Sequence, residues 1–365
     1  MRTITKLSLM SLLVAFVSVA MLLFTSSSPD GLPEAGLTTP ASDSSEMSET
    51  AELLDVPEKE ISDVSTLQLE ASITPPAPIE ETTPVTESES VLVKKGILPK
   101  PGEPILLSAD FFTQNHVIAY YGHPRSKMMG ILGRYPIDEL AKRLTKTASK
   151  YDAANGNKGV VTAFYLIYGV CHPKGEIGHM NDALVEKYIK FAQENGMLVF
   201  LDHQIGKYSV DYAVKKLLPF LKYPNVHLAI DPEWRTLKPM KEIGSIYAHE
   251  LNDAQKLMRD YMLENGIKGY RMLVVHQFKP VMIKQRDSVK ANYDPVVLIH
   301  NADGFGSPGA KRSAYQQNSY AKNMPFKGFK LFYYSGYKGA GFDKPLMTPE
   351  QVLKLKPEPC IIMYQ

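Results

Sequence analysis

Cysteine is nearly absent from this sequence: Cys171 and Cys360 are the only two in 365 residues. Two thiols cannot build a disulfide framework, and neither lies near the N-terminus, which excludes anchoring through a lipid-modified cysteine. Acidic residues are missing before Asp30. The metal signatures His-x-His and His-Glu-x-x-His are absent, and no glycine-rich loop carries the Lys-Ser/Thr of a nucleotide site. Nucleic-acid binding has no motif to support it.

What is present is unevenly distributed. Leu7 to Phe24 is apolar apart from three serines and follows Arg2 and Lys6, the pattern of an export signal. Its length just reaches a bilayer span, so an uncleaved membrane anchor is the preferred reading. The alternative is a long cleaved signal peptide, with Ser26, Ser27 and Ser28 as small residues for the peptidase. From Thr25 to Leu92 the chain is rich in Ser, Thr, Pro and Glu, with fifteen acidic residues between Asp30 and Glu89 against one base, Lys59. Such a stretch buries too little apolar surface to offset its chain entropy and is predicted to be a disordered tether. Residues 93–365 then hold 38 basic against 24 acidic side chains, a balance suited to anionic envelope polymers.

In this last part β-branched apolar runs alternate with amphipathic helical stretches, the signature of βα units around a parallel sheet. Eight runs are predicted as strands: His116 to Tyr121, Val160 to Leu166, Met197 to Leu201, Val226 to Ile230, Tyr270 to Val275, Pro295 to Ile299, Phe329 to Tyr333 and Cys360 to Tyr364. Helices are expected over Pro136 to Tyr151, Asn181 to Asn195, Ser209 to Leu221 and Ser245 to Asn265, with a short one opening at Pro349 and a poorly defined one after the fifth strand. Eight units in about 250 residues is the size of one closed (β/α)8 TIM-like barrel. The rival is an open doubly wound sheet, which would prefer a glycine-rich turn after its first strand; Tyr121-Gly-His-Pro-Arg-Ser is not one. The two cysteines would lie at opposite ends of a barrel, too far apart to pair.

Barrel enzymes carry their chemistry at the carboxyl ends of the strands, and polar residues are dense there. Asp231 and Glu233 of Ile230-Asp-Pro-Glu-Trp234 should share a face by strand alternation. Asp202, at the matching end of the neighbouring strand about 4.8 Å away, should join them. Three close carboxylates cannot all ionise readily, so at least one should hold its proton near neutral pH. The plainer alternative makes Asp231 a turn cap and pairs Glu233 with Arg235. Candidate substrate-binding residues are Tyr121, His123, His203, Gln204, Trp234, His276, Gln277, His300, Asp303 and Tyr334. Tyr120, Tyr165, Tyr168, Phe305, Tyr333 and Tyr337 add aromatic surface in or just beyond strand ends, which a sugar cleft needs and a barrel core explains equally well. Asp303-Gly-Phe-Gly-Ser-Pro308 precedes a helix and could bind an anion through its N–H groups, although a tight turn accounts for its glycines too.

The strand ends also resemble those of a family of exported bacterial barrel proteins known mainly as lipoproteins or hypothetical proteins. The likeness rests on Gly122-His-Pro124, Leu201-Asp202, Ala229-Ile-Asp-Pro-Glu-Trp234, His276-Gln-Phe278, Asp303-Gly-Phe-Gly-Ser-Pro308 and Tyr364-Gln365. It implies the fold and the site but no reaction. Asp231-Pro-Glu233 is similar to the end of the aspartate-rich motif of chitinase-like hydrolases, where the glutamate is the general acid, but the earlier aspartates of that motif are missing. The glutamate that the common clan of retaining barrel hydrolases keeps after strand seven is missing too.

These readings converge on an exported or membrane-anchored, glycoside-hydrolase-like enzyme acting on an envelope or extracellular polysaccharide. Glu233 would be its acid, Asp231 or Asp202 its base or nucleophile, and His276 and His300 would orient carboxylates or bind hydroxyls. No cofactor and no metal ligand is assigned. One alternative is a metal-dependent hydrolase in which His123, His203, His276 and His300 join Asp202, Asp231, Glu233 and Asp303 around one or two ions. The other is a barrel that binds polysaccharide without cleaving it.

Overall fold

The computed structural model describes residues 99–365. The predicted anchor and tether lie outside the described residues. Among the described residues no helix is long and apolar enough to cross a membrane.

Eight strands close into a barrel: β1 (Asn115–His123), β2 (Gly159–Cys171), β3 (Leu198–Gln204), β4 (Val226–Asp231), β5 (Arg271–Gln277), β6 (Val296–Ala302), β7 (Phe326–Leu331) and β8 (Ile361–Tyr364). Each pairs in parallel with the next, and β8 returns to β1 through Val117 beside Ile361 and Tyr120 beside Tyr364. Outside run α1 (Ile137–Ala154), α2 (Asp182–Glu194), α3 (Val210–Leu217), α4 (Ala248–Glu264), α5 (Pro308–Ser319) and α6 (Pro349–Leu353). This is the expected (β/α)8 TIM fold. Two single 3-10 turns, Pro280–Met282 and Arg286–Ser288, replace a helix between β5 and β6. The helix starts follow local chemistry: Asn181, Ser209, Ser307 and Thr348 each accept a hydrogen bond from a first-turn backbone N–H.

Strand alternation divides the buried side chains into two cores. Val117, Ala119, Tyr121, Ala163, Tyr165, Leu198, Phe200, Ala229, Val274, Ile299 and Met363 fill the interior. Ile118, Phe164, Val199, Leu201, Leu228, Ile230, Leu273 and Val275 face the helices. Cys171 ends β2 and Cys360 immediately precedes β8; both thiols are buried and free.

The seventh strand begins at Phe326, three residues before the apolar run predicted for it, and ends at Leu331. Lys327 and Gly328 precede that run and Lys330 lies within it, and all three belong to the strand. Lys327 is 1% exposed because its ammonium is satisfied by the carbonyl oxygens of Asn318 and Ala321 and by His300 Nδ1.

Candidate active site

Inward parity near the carboxyl ends of the strands selects Tyr121, Tyr165, Asp202, Asp231, His276, Asn301 and Lys330, and Asp303 follows directly after β6. At the centre His276 Nδ1 lies 3.0 Å from both carboxylate oxygens of Asp303. Its Nε2 lies 2.8 Å from the Tyr165 hydroxyl and 3.7 Å from Asp202 Oδ2. Tyr121 donates to that same Asp202 oxygen at 2.8 Å. The Lys330 ammonium stands 3.3 Å from Asp303 Oδ2 and 3.6 Å above the centre of the Tyr121 ring. Asn301 donates to Asp303 through its side-chain amide.

The charges sort themselves around this arrangement. Burial opposes the charged form of His276, but Asp303 and Asp202 outweigh it and raise the imidazole to about 9. Burial also opposes ionisation of Asp303, yet His276 and Lys330 hold its carboxyl well below the usual carboxylate range. Both cations are thus engaged by Asp303 and Asp202. Asp231 is raised to about 7, by burial first and then by Asp202 and Asp303, against the opposing pull of His276. Glu233 is raised to about 8, again by burial and then by Asp231 and Asp303. Asp202 is raised by burial, with His276, Tyr121 and Lys330 pulling the other way, and its Oδ1 is buried with no partner among the described residues.

Two details differ from the sequence reading. The register sets Asp202 beside Ala229 and Gln204 beside Asp231, so Asp202 lies one inward layer deeper than Asp231 rather than level with it. The strand also stops at Asp231, because Pro232 cannot donate to the ladder. Pro232–Trp234 forms a 3-10 turn, and Asp231 Oδ1 accepts the Glu233 N–H at 3.2 Å. Asp231 therefore does cap the turn, as the plainer alternative held. Arg235 nevertheless pairs with Glu250 at 2.6 Å and not with Glu233. Glu233 is left half-buried on the turn, with no hydrogen bond to its carboxyl from the described residues.

Parity takes other expected residues elsewhere. His203, Gln277 and His300 follow or precede inward positions by one and so lie behind the sheet. His203 Nε2 is 3.1 Å from His179 Nε2, and burial drives the His203 imidazole down to about 3. His300 Nε2 is 2.7 Å from Gln277 Oε1. Gln204 is inward, but its Oε1 is taken by the Cys171 N–H at 2.7 Å. His123 accepts from the Arg125 N–H through Nδ1 in the hairpin formed with the short strand Ser126–Gly130. Trp234 is half-buried, while Tyr334 and Phe305 are 67% and 42% exposed on the loops after β7 and β6. The Gly306 N–H in the glycine-rich loop is spent on Asp343 Oδ1 at 3.0 Å, a carboxylate of the chain itself. Among the described residues no three His, Cys, Asp or Glu side chains are arranged to hold a metal ion.

Sequence reasoning did not single out Lys330, and it left Tyr165 divided between core and site. Both would have followed from parity counted from a correct start of β7 and from the β1–β2 register, which sets Tyr121 beside Tyr165.

No protein-family model matches the chain, and no curated protein matches it. Solved structures show distant likeness. Oxaloacetate acetylhydrolase in complex with oxalate aligns with a TM-score of 0.37 and 11% identity over 60% of this chain and 72% of that one. A family 18 chitinase from Crocus vernus gives 0.36 and 12% over 68% and 91%. A β-glucosidase from Thermotoga maritima, in complex with glucoimidazole, gives 0.34 and 11% over 73% and 89%. At these scores the likenesses carry nothing about the reaction, and the functional reading rests on the site.

Proposed function

We propose that this chain is an exported glycoside hydrolase acting on an envelope or extracellular polysaccharide through a pair of carboxyl groups. One observation carries the reading: Glu233 and Asp231 stand on a single turn at the barrel mouth, and neither forms an ion pair with any of the described residues. A half-buried carboxyl held protonated near neutral pH has what a general acid needs to give its proton to a glycosidic oxygen. Asp231, which ionises before Glu233, serves as base or nucleophile. His276 and Asp303 hold fixed charge near the pair, and Asp202, fully buried one inward layer deeper, helps to raise Asp231. Export rests on the sequence of Leu7 to Phe24, and the basic balance of residues 93–365 suits an anionic polymer.

The test is reducing-sugar release from a panel of envelope and extracellular polysaccharides by the parent, Glu233→Gln and Asp231→Asn, set beside binding to the same polymers. Turnover by the parent alone supports the reading. Binding without turnover by the parent on every polymer would make this a glycan-binding barrel instead.

A further inference from the structure

A charged pair outside the cluster joins the two loops that carry it. Lys311 lies in the first turns of α5 and is 2% exposed. Its ammonium donates to the carbonyl oxygens of Gly304 and Lys330 and stands 3.4 Å from Asp343 Oδ2. Three acceptors thus meet the three protons of one ammonium. Asp343 accepts the Gly306 N–H at 3.0 Å and the Phe332 N–H at 2.9 Å, and its own N–H donates to the Phe332 carbonyl. The pair therefore links the start of the β6–α5 loop, the end of β7 and the segment around residue 343.

Such a pair is an expensive way to gain stability alone. Buried ions lose hydration that their mutual attraction only partly returns, and apolar side chains of similar size often serve as well. The Phe329 and Phe332 rings, 4.7 and 5.1 Å from the ammonium, could have packed against such a side chain. What the ammonium does, and an apolar group cannot do, is fix two particular carbonyl groups. One belongs to Gly304, the residue after Asp303. The other belongs to Lys330, whose own ammonium pairs with Asp303. We propose that Lys311, braced by Asp343, is a positioning residue that sets the separation of Asp303 and Lys330 and through it the orientation of His276. Its consequence for turnover rests on the acid/base reading above, but its consequence for His276 does not.

The experiment is a pH titration of His276 by NMR in the parent, Lys311→Met and Asp343→Asn. Loosening the brace weakens the Asp303–His276 pair, so the imidazole midpoint should fall by about one unit in Lys311→Met. A smaller fall is expected in Asp343→Asn, which keeps the size and one acceptor oxygen. Removal of a positive charge with no change in geometry would leave the midpoint in place or move it upward, so the direction separates positioning from simple electrostatics. If Lys311→Met does not fold, Lys311→Gln, which removes the same positive charge, decides by the same sign; a fall in Asp343→Asn alone does not, since losing a negative charge also lowers the midpoint. Midpoints unmoved or raised in the variants that fold, alongside lowered thermal stability, would overturn the proposal and leave Lys311 a structural pin. Because the titration needs no substrate, a lowered midpoint in a chain that cleaves no glycan would support the brace while rejecting the hydrolase reading.

Discussion

Single residues in the cluster make opposite demands on pH. His276 is raised to about 9 from an ordinary 6.5, so its stabilisation is fully present below about 6.5 and lost as pH rises through 9. Glu233 and Asp231 are raised to about 8 and about 7, so each favours the fold while protonated and costs stability as pH climbs from the carboxylate range to those values. Asp303 is lowered, so its contribution is present above about 4 and lost as pH falls further. His203, His227 and His300, held neutral by burial, add stability as pH rises toward 6.5, so denaturant melts from pH 3 to 10 should show a maximum near 6.5 and a decline toward 8. Glu233→Gln and Asp231→Asn should flatten that decline and match or exceed the parent at pH 7, since asparagine also caps the turn. A maximum near pH 8 would contradict these assignments. Asp303→Asn should do the reverse, costing about 3 kcal/mol at pH 7 because it leaves His276 and Lys330 buried with their main anion removed.

At the scale of elements, parity decides which polar side chains meet. Gly328 sits in β7 beside Asn301 of β6, and a Cβ there would come within 2.3 Å of Asn301 Oδ1. Gly328→Ala should turn Asn301 away from Asp303 at a cost of about 1 kcal/mol, and thermal unfolding together with the His276 titration would register it. An unaltered titration would show that Asn301 does not hold Asp303. The eight runs, their order and the acidic strand ends were legible in the sequence because apolar alternation marks them directly. The start of β7 was not, since Lys327 and Gly328 break the apolar run until the buried partners of Lys327 are known. His203 and His300 looked like site residues for a related reason. A strand end can be located from sequence to within a residue or two, and one residue reverses the face. The Asp231–Glu233 alternation failed at Pro232, a position where the missing donor could have been noticed.

For the whole molecule, closure is the decisive feature. β8 pairs with both β1 and β7, and the Gln365 N–H and carbonyl bond to Leu331 and Tyr333. Deleting residues 361–365 would expose two strand edges and open the interior core, so the truncated chain should lose cooperative unfolding by calorimetry; a sharp transition near that of the parent would show that closure is dispensable. A closed barrel also explains how a polar cluster can stand on an apolar interior. Tyr165 stacks on Phe200 with ring centres 4.9 Å apart, while its hydroxyl reaches up to His276. The central claim is that Glu233 donates the proton to the leaving group, and the most direct measurement compares Glu233→Gln with the parent on two aryl glycosides of the active sugar. One should bear a dinitrophenolate leaving group, which needs no proton, and the other a poor leaving group. The account predicts kcat/KM lost by roughly 10²- to 10⁴-fold on the poor leaving group and nearly retained on the dinitrophenyl one. Equal losses on both substrates, or none on either, would contradict it.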